Sequence, residues 1–177
     1  MGRCLHNFNK DKRTKNIFYL HDVPETCARM HNDKHCVKMI LESAQMLCTA
    51  HRALDGNDKC DNLFMYKQAH LNHPSTKWVR ENVYNYKWMF SLFEELCDEY
   101  TYRYDKLHST DLRLRETLRE TPLRIPSINQ KRTTPPQCMP DEYKSADAIE
   151  AYRNYYMGEK SHFCSWKNRP TPTWYTK

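Results

Sequence analysis

Glycine is scarce in this chain, 3 residues in 177, and that scarcity excludes a many-stranded sandwich or barrel, whose tight turns need residues free to take positive φ. No stretch approaches the ~20 consecutive apolar residues of a membrane-crossing helix. Met1-Gly2 opens the sequence, but His6 stands where an acylation motif needs Ser or Thr, so the expectation is a soluble, unanchored protein. The 8 cysteines, Cys4, Cys27, Cys36, Cys48, Cys60, Cys97, Cys138 and Cys164, have no paired spacing and no apolar leader before them. They read as reduced thiols of a cytoplasmic compartment. Internal repeats and low-complexity tracts are also missing.

What remains is helix-forming material with a basic balance. Apolar residues make up 39% of the chain, enough for one core at this length. Lys and Arg number 28 against 22 acids, a net charge of +6, with 12 Tyr and 4 Trp. Cations neutralise phosphates and flat rings support unstacked bases, so the composition suits nucleic acid; it also suits many soluble proteins whose aromatics fill a core.

Punctuation and periodicity predict an all-α, mainly helical fold: a single compact domain over 16–177, a basic flexible extension over 1–15 and an irregular, proline-rich C-terminal third. Asp22-Val23-Pro24-Glu25 starts one helix. A second starts at Asn32 or Asp33 and runs to about Leu54, ended by Asp55-Gly56-Asn57. After Asn72-His73-Pro74 a long helix is expected from Ser75 to Tyr104, along an apolar line of Trp78, Met89, Leu92, Phe93 and Leu96 that also contains Asn82 and Asn85. A charged helix follows over about Thr110 to Glu120. Five prolines between Thr121 and Pro140 mark an extended crossing, then a last helix covers Ala146 to Tyr156.

The chemistry concentrates on the second helix. His31, His35, Lys38, Glu42, Gln45 and Thr49 fall on one line at helical spacing, opposite Val37, Ile40, Leu41, Ala44, Leu47 and Cys48. A solvated face is normally a plain mixture of Glu, Lys and Arg; two histidines, one lysine, one acid and one glutamine are a less ordinary set. Two readings stay open here, a polar face turned to water and a functional one.

The segment Asp33-Lys34-His35, Lys38, Glu42, Gln45-Met46-Leu47, then Asn72-His73-Pro74 and Trp78, resembles the pyrimidine-dimer DNA glycosylases of the phage endonuclease V type. The interval from Asp33 to Glu42 is similar to that between the Asp-x-His opening and the catalytic glutamate of that pattern, and Pro172-Thr173-Trp174-Tyr175 is similar to its tail. The resemblance is concentrated in residues 17 to 105. It implies attack of an amine on the sugar carbon of a damaged pyrimidine nucleotide, release of the base and an imine from which the strand can be cleaved, without a cofactor. Glu42 then matches the carboxylate that stabilises the cationic transition state. In that pattern the amine is the chain's own α-amine, just before the first helix; here about 15 residues precede the matching region. Either the extension folds back, or a lysine such as Lys38 attacks, or lyase activity has been lost.

The resulting candidates are Glu42, Lys38 and His35 for catalysis, with Lys34, Gln45, His73, Asn82, Asn85, Tyr152, Arg153, Trp174 and Tyr175 for contact with double-stranded DNA. Two rivals remain: a metal-dependent helical enzyme using His31, His35, Glu42, His70 and His73, and a binding protein without catalysis, whose basic aromatic set of Tyr143, Lys144, Tyr152, Arg153, Tyr155 and Tyr156 holds a backbone or an unstacked base.

Overall fold

In a computed structural model, residues 16–128 and 130–176 are described; the basic segment over 1–15 lies outside the described residues. Among the described residues there are seven α-helices and no strand. They are α1 Pro24–Met30, α2 Asp33–Asp55, α3 Asn57–Asn62, α4 Pro74–Glu81, α5 Val83–Tyr104, α6 Ser109–Arg119 and α7 Ala148–Tyr155, the last continued by a π-helical turn over Tyr156–Lys160. The protein is an all-α single domain. No helix among the described residues is long and apolar enough to cross a membrane.

Local chemistry sets most helix ends. Pro24 opens α1 with its φ already helical and no N–H to leave unpaired. Asn32 caps α2 by accepting the His35 N–H at 2.9 Å, and Gly56 ends that helix at φ +95°, where a side chain would be strained. Two histidines serve as caps as well: His73 Nδ1 accepts the Ser75 N–H and His108 Nδ1 accepts the Thr110 N–H, each at 3.2 Å.

The single helix expected from Ser75 to Tyr104 is two helices. Asn82 sits in extended backbone at φ −155°, ψ 163°, and its Oδ1 accepts the N–H groups of Tyr84 and Asn85 at 2.9 and 3.0 Å. A short polar side chain that satisfies the orphan donors of a new first turn makes a break inexpensive. The apolar line continues on both sides of Asn82, so periodicity alone does not reveal the break.

Helix α2 runs through the middle of the molecule and packs against α4, α5 and α6. Met39, Ile40, Ala44, Met46, Leu47 and Cys48 of α2 are buried with Met89, Leu92, Phe93 and Leu96 of α5, each large side chain contributing roughly 1.5–3 kcal/mol by leaving water. The C-terminal third covers the remaining sides. Asp33, in the first turn of α2, accepts from the Ser165 hydroxyl at 2.7 Å and the Lys167 N–H at 2.9 Å, and pairs with the buried Arg103 at 2.9 Å. Arg103 also donates to Glu99 and to the carbonyls of His31 and Arg29, so its desolvated charge is fully engaged.

This cover reverses part of the expected facing of α2. His31, His35 and Thr49, expected on a polar line, are buried, whereas Val37 and Leu41, expected in the core, are 37% and 39% exposed. The reason is tertiary: aromatic residues from the C-terminal third occupy the side on which the histidines lie.

Candidate active site

The outward strip of α2 is Lys34, Val37, Lys38 and Leu41, followed by the half-buried Gln45. From Val37 to Gln45 it forms one wall of a cleft of about 650 Å³. Tyr66, Ala69 and His70 supply a second wall, and His108, Ser109 and Thr110, at the start of α6, a third. Glu42 lies at the edge of the strip with 8% of its surface exposed. Its Oε1 pairs with Lys38 Nζ, one turn earlier, at 3.0 Å. Its Oε2 is buried and has no hydrogen-bond partner. An unsatisfied buried acceptor costs roughly 1–3 kcal/mol, so an unpartnered carboxylate oxygen in a residue that lines a cleft is an unusual feature that calls for a functional reason.

The walls are fixed independently of Glu42. The Thr49 hydroxyl donates to the Gln45 carbonyl at 2.7 Å and accepts the Ala69 N–H at 3.0 Å, which ties the second wall to α2. Arg52 Nε donates to the Tyr66 carbonyl at 2.7 Å. The Tyr66 hydroxyl meets Thr110 Oγ1 at 2.9 Å, and the Arg113 guanidinium lies 4.7 Å from its ring centre. His108 is half-buried, edge-on to Tyr100 with ring centres 5.3 Å apart. Burial holds its pKa below the ordinary 6.5, against the opposing influence of Asp111.

The remaining candidates are placed elsewhere. His35 is buried, stacks on Phe18 at 4.1 Å and hydrogen-bonds the Tyr156 hydroxyl through Nδ1 at 2.6 Å; burial, then the nearby His31, pushes its pKa down to about 2. It is a neutral core histidine and does not line the cleft, unlike the other two residues expected to act in catalysis. Lys34 is exposed, 4.9 Å from the Phe163 ring centre. His73 caps α4 and lines a different depression, with Pro74 and Cys138. Asn82 and Asn85, expected to contact DNA, make hydrogen bonds within the fold. Asn82 is a cap, and Asn85 is buried, donating to the Trp78 carbonyl and accepting the Thr133 N–H, both at 2.9 Å, so it spans helix and crossing rather than meeting a base.

The aromatic set of the C-terminal third is structural in the same way. Tyr152 is fully buried and donates to the Pro136 carbonyl at 2.7 Å. Arg153 donates to the Leu20 carbonyl at 2.9 Å and lies 5.4 Å from the Trp174 ring centre. Trp174 packs against the core, and Tyr175 is 8% exposed. These side chains fasten the tail, with Tyr152 and Tyr175 buried and Arg153 and Trp174 partly exposed. The alternative metal site is not assembled either: among the described residues no three His, Cys, Asp or Glu side chains are grouped to hold an ion.

Of the candidate residues, Lys38, Glu42 and Gln45 therefore meet in the cleft. Sequence reasoning missed Tyr66, His108 and Thr110, which come from distant segments; the one local signal is the cap pattern His-x-Ser/Thr shared by His73 and His108.

A protein-family model described as pyrimidine dimer DNA glycosylase matches residues 16–112. The chain belongs to this family. All the residues that line the Glu42 cleft, from Val37 to Thr110, fall inside the matched span. No curated protein and no solved structure matches the chain. At the level of the family this is a DNA repair glycosylase, and DNA is its substrate.

Proposed function

We propose that this pyrimidine dimer DNA glycosylase family member cuts the glycosidic bond of one pyrimidine of a dimer in double-stranded DNA, with Glu42 as the carboxylate at the reacting sugar. The observation that carries the reading is the buried, unpartnered Oε2 of Glu42 at the wall of a cleft large enough for a nucleotide. Breaking the glycosidic bond develops positive charge on C1′ and the ring oxygen, and a fixed carboxylate in a partly desolvated site stabilises that charge far better than water does. The nucleotide must leave the stack to reach the cleft, and an open cleft walled by Tyr66, Val37 and Leu41 provides flat and apolar surface for it.

Strand cleavage through an imine is a further step and needs a neutral amine. Lys38 is 58% exposed and serves as the cation of a pair with Glu42, which supports a role in holding the carboxylate rather than attack. First contact with the duplex is electrostatic, from the excess of Lys and Arg, so affinity falls steeply with salt.

The experiment is base release from ultraviolet-irradiated duplex, read as the thymine freed when the dimers are photoreversed after reaction, run in parallel with borohydride trapping. Release together with a covalent adduct supports a glycosylase with lyase activity, and release without an adduct a purely hydrolytic one. No release from irradiated duplex overturns the proposal.

A further inference from the structure

Cleaving a glycosidic bond requires stabilisation at both ends of it, and Glu42 serves only the sugar. The departing pyrimidine carries away the bonding pair, and its charge spreads over N1 and the adjacent carbonyl oxygen O2. A preorganised donor aimed at that oxygen lowers the barrier in the way an oxyanion hole does.

His108 has the properties of such a donor. Its Nδ1 is committed as an acceptor of the Thr110 N–H at 3.2 Å, and a neutral imidazole that accepts at Nδ1 carries its proton on Nε2. The edge-on contact with Tyr100 restricts the ring, and the residue lines the same cleft as Glu42 but from a different wall. It also stands at the N-terminus of α6, an 11-residue helix whose dipole favours negative charge at that end. Burial keeps the ring below its ordinary pKa, so at neutral pH it is an uncharged donor rather than a cation paired with Glu42.

We propose that His108 hydrogen-bonds the departing pyrimidine through Nε2–H and stabilises the negative charge that develops on its carbonyl oxygen. The inference rests on the glycosylase reading of the cleft. In the step itself the C1′–N1 bond breaks and both its electrons go to the base. The entering nucleophile bonds to C1′ and releases its proton towards Glu42, and the cut pyrimidine, still joined to its dimer partner, takes one proton from solvent at N1. His108 keeps its own proton throughout, since losing it would leave an imidazolate.

The test separates donation from capping. Asn is among the best helix caps, so His108→Asn keeps the start of α6 and removes the Nε2 donor, while His108→Ala removes both. Single-turnover cleavage of the glycosidic bond is measured on duplexes carrying one defined dimer, read as the base freed after photoreversal, with either thymine or the more electron-withdrawing fluorouracil as the cut half. A less basic leaving group needs less help. His108→Asn is expected to melt and to bind duplex like the unsubstituted protein, and to lose about 100-fold in rate on the thymine substrate but less than about 10-fold on the fluorinated one. Equal losses on both substrates, or no loss on either, overturn the role of His108 while leaving the glycosylase reading intact. An unsubstituted protein inactive on both substrates overturns that reading and the donor with it.

Discussion

Lys38 and Glu42 lie one turn apart on α2 with Nζ and Oε1 separated by 3.0 Å, yet the lysine side chain is 58% exposed and the glutamate side chain 11%. The pair therefore joins the surface to the cleft wall. It occupies one carboxylate oxygen and leaves the other, Oε2, buried without a hydrogen-bond partner.

Glu42→Gln keeps size and hydrogen bonding and removes the charge. Base release is expected to fall ~100-fold or more, with duplex affinity kept or strengthened, because one repulsive charge near phosphate is gone. Thermal stability should be unchanged or higher, since a buried carboxylate oxygen without a partner is replaced by an uncharged group. Base release at the unsubstituted rate removes Glu42 from the mechanism.

Lys38→Arg retains a cation one turn from Glu42 but cannot form an imine. If Lys38 only holds the carboxylate, release stays within about threefold, in line with the small worth of an exposed ion pair, and any borohydride adduct persists. Disappearance of both release and adduct in this variant identifies Lys38 as the nucleophile.

Asn82→Ala removes the cap of α5 and is expected to lower stability by ~1–2 kcal/mol, whereas Asn82→Asp, another strong cap, changes it little. Duplex affinity at one salt concentration should be the same in both variants. Unaltered denaturant midpoints combined with weaker DNA binding would return Asn82 to the DNA surface.

Acid should destabilise the fold well before the carboxylates titrate. Burial pushes His31 and His51 down to about 4 and His35 to about 2. In the unfolded chain these histidines take up protons near pH 6.5 while in the fold they stay neutral, so stability is lost as pH falls below that value, by up to ~1.4 kcal/mol per pH unit for each. Glu99 extends the loss at lower pH, because hydrogen bonds from Arg169 and Arg103 outweigh its burial and hold it below the ordinary range. Urea midpoints measured from neutral pH down to about pH 5 should decline steadily; a constant midpoint contradicts neutral burial of the three histidines.

The helical class and most helix ends were legible in the sequence because they are local. Pro24, Gly56 and Pro74 act on the backbone within a turn of themselves, and the spacing of Met89, Leu92, Phe93 and Leu96 is a property of one helix. The spacing of Lys38 and Glu42 is local in the same sense. What covers each side of α2 is not. Whether His35 or Val37 faces solvent depends on Phe18, Tyr156 and Phe163 arriving from other parts of the chain, and a helical wheel holds no information about them. Asn82 suited an apolar line and a cap equally well until Pro126 and Thr133 settled beside its helix, the first accepting the Val83 N–H and the second bonded to Asn85. The cleft is likewise a product of the tertiary structure. Tyr66, His70 and His108 share a cleft with Glu42 because Thr49, Arg52 and Thr110 tie their segments to one another and to α2, and the walls of that cleft come from three separate parts of the chain.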